Sequence, residues 1–240
     1  MNRHKLITAG CSLSPKHGWA TEVANILQAS HDWTHFGIGA SSNGVQINLL
    51  EEEIVNYGIG EGDVVIFQIT GQNRGWGIID GELYHKYAHT LDENSEFDAD
   101  GAGVGTYVSR INTLDNKKRY VLLSHHEAIK SEARVPVCYY NARDPYIELQ
   151  RLLYTLIMLR KSGCKVLVFR GWEGVMSDTS WDIFKEKFKL HDIYFLEECI
   201  VEWCLTHKVP FLDEFHPSPK QSRIFTKRII GPVLDRHIIK

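Results

Sequence analysis

Near the N-terminus the stretch ITAGCSLSPKHGW, Ile7 to Trp19, runs apolar residues into Gly10, Cys11 and Ser12. Either Cys11 or Ser12 could serve as a nucleophile, and both residue types also suit a plain turn. Far along the chain, Asp213 and His216 stand three apart in DEFHPS. One turn of chain can bring two such side chains to one pocket. A serine hydroxyl attacks an ester only when a histidine accepts its proton and an acidic group holds that histidine in the right tautomer. His216 is therefore the candidate base and Asp213 its orienter. The tetrahedral oxyanion then needs preorganised donors, typically backbone N–H groups and an Asn side chain. GIGASSNG (Gly37 to Gly44) and TGQNRG (Thr70 to Gly75) contain such groups. Each stretch also has an ordinary reading. Glycines permit sharp turns, Asn73 suits a turn or a helix cap, and Asp213 with His216 can simply precede the helix that follows Pro217.

Other chemistries find less support. GIGASSNG has neither the lysine of a phosphate loop nor the G-x-G-x-x-G spacing. His125-His126 lacks a metal-ligand spacing and reads as a loop pair, so no metal is expected. The five cysteines, Cys11, Cys138, Cys164, Cys199 and Cys204, are scattered and odd in number. Without a secretory leader pattern they read as reduced thiols of a cytoplasmic protein. The net charge of −3 gives no general attraction to nucleic acid or anionic lipid. No apolar run approaches membrane-spanning length.

The elements that must carry these residues alternate. Lys5–Ala9, Trp33–Gly37, Asp63–Thr70, Lys165–Arg170 and Val209–Asp213 read as strands. Trp19–Ala29, Val45–Tyr57, Tyr146–Ser162, Ile193–His207 and Ser218–His237 read as helices. Near-continuous apolar strands alternating with helices predict an α/β fold with a parallel sheet covered on both faces. The whole chain reads as a single domain. Gly75–Arg143 breaks the pattern and reads as an insertion of loops with a short strand at Arg119–Ser124. Ligands of such sheets bind beyond the carboxyl ends of the strands. Gly10-Cys11-Ser12, GIGASSNG, TGQNRG and DEFHPS all follow strand ends, so they share one rim.

At this point the chain resembles the SGNH hydrolase superfamily, the GDSL-like esterases and lipases, through four ordered blocks: GCSLS, GIGASSN, GQN and DEFHPS. The resemblance implies a flavodoxin-like three-layer α/β/α fold with Ser12 as nucleophile. It implies the Ser12 and Gly39 N–H groups and the Asn73 side chain as oxyanion donors, with Asp213 and His216 completing a triad. It implies hydrolysis of an ester through an acyl-enzyme, without a cofactor. Two departures stand out. Cys11 replaces the usual Asp of the first block, which keeps a Cys11 nucleophile as a rival. Arg74 replaces the usual Asp after Asn73, where a cation could meet an anionic substrate group or simply be solvated. Trp76 and Trp172 could contact a sugar or pack on the core. The polar, aromatic-sprinkled insertion has no long apolar helix to act as a lipase lid. The expected substrate is accordingly a small acyl group, such as acetyl, on a carbohydrate. The rivals are a non-catalytic ligand-binding module and an O-acyltransferase, and the oligomeric state is open.

Overall fold

The structure is a computed structural model that describes residues 3–10, 18–28, 30–36, 43–70, 74–80, 107–112, 118–125, 138–140, 145–172, 178–209, 211 and 217–239. Between 74 and 140 only the course of the backbone is described.

Five strands form one parallel sheet: β1 (His4–Ala9), β2 (His31–His35), β3 (Val64–Ile69), β8 (Lys165–Arg170) and β9 (Tyr194–Phe195). Their spatial order is β2-β1-β3-β8-β9. Alternate residues of each strand enter opposite cores. Leu6, Val64, Ile66, Leu167 and Phe169 face one side; Ile7, Ala9, Val65, Phe67, Ile69, Val166 and Val168 face the other. Both faces must therefore be covered.

The first face is covered by α1 (Trp19–Leu27), α5 (Ile200–Thr206) and the C-terminal helical run. That run comprises α6 (Pro219–Phe225), a π-helical turn (Thr226–Ile230) and α7 (Gly231–His237). The second face is covered by α2 (Asn43–Tyr57), α3 (Pro145–Lys161) and α4 (Asp178–Leu190). The winding reverses at β1. The chain passes outward from β1 to β2 over one face, then returns past β1 to β3 over the other. Right-handed crossovers require this change of face when the direction of travel changes. The reversal leaves a crevice between the carboxyl ends of β1 and β3.

Short local devices set the joints. At the α3–β8 turn, Gly163 has φ +91°, and a Cβ there would meet the Glu61 Cα at 3.1 Å. Its N–H donates to Arg160 O and the Cys164 N–H to Leu159 O, a Schellman closure that turns the chain directly into β8. At the carboxyl end of β1, fully buried Thr8 joins two residues of β2. Trp33 Nε1 donates to Thr8 Oγ1 at 2.8 Å, and His35 Nδ1 lies 2.8 Å from the same oxygen.

Most predicted elements occur within a few residues of their expected bounds, with three differences. Ile193–His207 is not one helix: Tyr194–Phe195 pairs with β8 as the fifth strand, and the helix begins only at Ile200. The strand expected at Val209–Asp213 is represented among the described residues by an isolated bridge between Phe211 and Pro217. The apolar run 193–196 and the run at Val209 are similar in composition, and only pairing to β8 selects the first as a sheet strand. The Gly75–Arg143 insertion is also more ordered than a set of loops. Arg74–Asp80 (β4), Tyr107–Asn112 (β5), Lys118–His125 (β6) and Cys138–Tyr140 (β7) form a separate antiparallel sheet in the order β5-β6-β4-β7. Glycines and polar residues in its sequence hide the alternation. No described helix is long and apolar enough to cross a membrane.

Phe169 is fully buried, edge-on to Trp19 at 4.9 Å and tilted against Phe225 at 6.1 Å. Phe169→Ala should cost about 3–5 kcal/mol, read as a lower urea midpoint at unchanged slope. His35 gives a pH signature. Burial lowers its pKa from 6.5 to about 4, so the folded ring stays neutral where the unfolded ring binds a proton. Its contribution is complete above pH 6.5 and is lost as pH falls through 4. Between pH 7 and 4.5 the wild type should lose about 2 kcal/mol more stability than His35→Gln in matched urea titrations.

Candidate functional site

The described strands end in one row at the carboxyl edge: Ala9, His35, Ile69 and Arg170, followed by Gly10, Phe36, Thr70 and Gly171. β1 and β3 are adjacent, with Ala9 opposite Phe67. The chain therefore leaves the sheet at Gly10 and at Thr70 on the two sides of the crevice. Ser12, Gly39, Asn73, Asp213 and His216 all lie outside the described residues, as does Cys11. The described residues define the frame from which those segments depart and to which they return.

That frame is built from buried polar groups with assigned partners. Trp19 Nε1 donates to Gln68 Oε1 at 2.7 Å, both fully buried, which ties the start of α1 to β3. Asn43 opens α2 and is fully buried. Its Nδ2 donates to Thr70 O at 3.0 Å and its Oδ1 accepts from Thr70 N at 2.8 Å. Next to it the Gly44 N–H donates to Glu148 Oε2 of α3 at 3.2 Å. A carboxylate at a helix N-terminus satisfies a free N–H and meets the positive end of the helix dipole.

Arg170, at the end of β8, is buried with its guanidinium 4.8 Å from the Trp181 ring. Trp172, two residues on, is half-buried and packs against the cores on both faces of the sheet. Core packing thus accounts for part of its side chain. Arg74 and Trp76 lie in β4, where Arg74 is in register with His125 and Trp76 with Leu123 and Tyr140.

Phe211 and Pro217 pair as an antiparallel bridge. They bracket the segment that carries Asp213 and His216. The following helix is stabilised at its start by Pro219 and by Gln221 Oε1, which accepts from Ser218 N.

Cysteine chemistry is narrowed by burial. Cys164, Cys199 and Cys204 are buried and form no disulfide. Burial pushes the Cys164 thiol up to about 12 and that of Cys204 up to about 11, so neither supplies a thiolate near neutral pH. No group of three metal-ligating side chains occurs among the described residues.

Reading the sequence did not single out Asn43 or Glu148. An asparagine before a helical pattern looks like a cap, and a glutamate in the first turn of an amphipathic helix looks solvated. Their partners are 27 and 104 residues away in the chain.

No protein-family model matches the sequence, and no curated protein is significantly similar to it. Solved structures are similar in fold. A member of the lipolytic protein G-D-S-L family from Veillonella parvula is 11% identical with a TM-score of 0.52, over 99% of this chain and 100% of that one. A Bacillus subtilis protein is 10% identical with a TM-score of 0.53; the match covers 100% of this chain and 58% of the other. With its five-stranded parallel sheet between two helical layers, the chain has the three-layer α/β/α fold of the SGNH hydrolase superfamily.

Proposed function

We propose that the protein is a serine ester hydrolase that removes a small acyl group, acetyl in the first instance, from a carbohydrate. One observation carries the reading: GCSLS, GIGASSN and GQN begin immediately past the ends of β1, β2 and β3, at the rim of the reversal crevice, and DEFHPS precedes the C-terminal helices. This is the rim where sheets of this winding bind ligands. The lipolytic name of the Veillonella parvula protein that shares the fold supports ester chemistry.

In this mechanism Ser12 Oγ attacks the ester carbonyl while His216 takes its proton, held in orientation by Asp213. The Oγ–C bond forms and the carbonyl oxygen becomes an oxyanion. The Ser12 and Gly39 N–H groups and the Asn73 amide donate to it. Collapse breaks the bond to the sugar oxygen, which leaves with the proton from His216. Water, deprotonated by His216, then attacks the acyl-enzyme, and the acid departs as Ser12 recovers its proton. No cofactor takes part. Arg74, Trp76 and the exposed part of Trp172 are assigned to the substrate, with Arg74 suited to a carboxylate of a uronate or sialate.

The test is hydrolysis of p-nitrophenyl acetate followed by a panel of acetylated sugars. Ser12→Ala and His216→Ala should each lower kcat by at least about 10³-fold, while Cys11→Ala keeps most of the rate. Loss of activity in Cys11→Ala with Ser12→Ala intact would move the nucleophile to the thiol. Sugar binding that survives Ser12→Ala, with no turnover and no labelling by a fluorophosphonate, would make the protein a binding module. Acyl transfer to an added sugar in preference to water would make it an O-acyltransferase. Asn73→Ala should lower kcat by about 10²–10³-fold with a much smaller change in KM, the signature of a lost oxyanion donor.

A further inference from the structure

We propose that the outer face of α3 is a homodimer interface. A second copy of this chain packs on it about a two-fold axis running along α3, with the two α3 helices side by side and parallel.

α3 is apolar on both sides. Leu149, Leu152, Leu156 and Leu159 are buried in the core beneath it. On the outer side Ile147 is 62% exposed, Tyr154 75% and Met158 61%. With Arg151 these positions recur at spacings of four, three and four, the seam spacing of helices that pair along their length. From Leu152 to Leu159 the sequence is LLYTLIML. Thr155, its one polar residue besides Tyr154, is buried, and its hydroxyl donates to Glu51 Oε1 at 3.0 Å. The Arg151 charge is drawn aside as well: Nε donates to Glu51 Oε1 at 3.0 Å and Nη2 to Asn48 Oδ1 at 2.6 Å, both on α2. A helix with apolar residues all round is normally covered all round.

The neighbours of α3 give this stripe a polar rim. In its last two turns α2 carries Glu51, Glu52 and Glu53 and no cation, whereas α4 carries Lys185, Lys187 and Lys189 with Glu186. An apolar centre with polar edges is the anatomy of a protein interface. The three helices run in one direction, since each returns the chain from the carboxyl edge of the parallel sheet to its amino edge. They also end at one level: Ser162 Oγ donates to Ile59 O at 3.2 Å, and Arg160 Nε to Asp192 O at 2.9 Å. Three such helices form a layer about 20–25 Å long and about 30 Å across, on the order of 600 Å² in projection and more in accessible surface. A stable interface buries about 800 Å² per partner, so the face suits a whole domain.

Charge selects a second copy and its orientation. A two-fold axis along α3 sets Tyr154 and Met158 against the same residues of the second copy and lays α2 of each copy over α4 of the other. The acidic end of α2 then meets the lysine-rich end of α4 at both edges of the interface. An axis across α3 would instead set α2 over α2, with three carboxylates facing three. Opposite charges across an interface fix its register, and like charges oppose it. The acidic rim also disfavours an anionic lipid surface.

The test is sedimentation equilibrium of the full chain from about 1 to 100 µM, with circular dichroism confirming the fold of each variant. Wild type should approach the mass of two chains. Tyr154→Glu and Met158→Glu should each raise the dimer Kd at least about 30-fold. Leu205→Glu, which changes an exposed apolar residue of α5 on the other face of the sheet, should leave it unchanged. Glu52→Lys and Lys187→Glu should each weaken the dimer about 3- to 10-fold, and the two together should restore it. Oxidised Met158→Cys should form a covalent dimer that wild type does not, which carries the test if a glutamate variant does not fold. A wild type that stays monomeric to about 100 µM overturns the inference. So does a dimer that persists in Tyr154→Glu and Met158→Glu, or a double exchange no tighter than the single ones.

Discussion

A parallel sheet whose two faces both carry aliphatic and aromatic side chains must be buried on both. Val64 to Ile69 are all inaccessible to solvent, so β3 can sit only at the centre with helices above and below. Coverage of both faces by right-handed crossovers obliges the chain to reverse its direction across the sheet. The reversal occurs between β1 and β3, and it creates the crevice. The location of the candidate site is thus a by-product of hydrophobic burial. The candidate residues Ser12, Gly39 and Asn73 stand in the sequence just past the ends of β1, β2 and β3.

Polar groups at this edge are expensive to bury and are therefore informative. Thr8, Gln68, Thr70 and Asn43 are inaccessible to solvent. Trp19 to Gln68, Asn43 to Thr70 and the Thr8 cluster with Trp33 and His35 each join two elements that meet at the carboxyl edge. The His31 ring near the opposite edge, with Ser30 Oγ at 2.7 Å and Gly62 O at 3.2 Å, is a comparable joint. Desolvation by burial is the largest cause lowering the pKa of both His31 and His35. Apolar contacts carry the bulk of stability in such a domain, but they tolerate sliding; paired buried hydrogen bonds do not. Precision at the rim comes from these few joints.

Much of this was legible beforehand. KLITA, DVVIFQIT and KVLVFR read as strands because uninterrupted apolar runs bounded by glycine or polar residues match a sheet covered on both sides. Helices α1, α2 and α3 were read from the sequence, whereas α4 (Asp178–Leu190) was not. The blocks carrying Ser12, Gly39 and Asn73 follow strands that the structure contains, whereas the strand expected before Asp213 and His216 is represented among the described residues by the Phe211–Pro217 bridge. Harder to read were elements decided by partners. Tyr194–Phe195 has too short a pattern to announce a strand, yet β8 presents an open edge for it. The antiparallel sheet between Arg74 and Tyr140 is built from glycine-interrupted and polar strands whose pairing spans long stretches of sequence.

Hydrophobic periodicity and residue chemistry are local properties, and they were enough to read the α/β class, the strands β1, β3 and β8, and the nucleophile, base and donor candidates. Tertiary structure alone decided that the fifth strand is Tyr194–Phe195, that Trp172 packs on both cores, and that Asn43 holds Thr70 while Glu148 serves Gly44. Each of those outcomes depends on which groups remain unsatisfied when distant segments meet. A buried donor or acceptor takes whatever partner the packing brings within about 3 Å, and no local pattern encodes that partner.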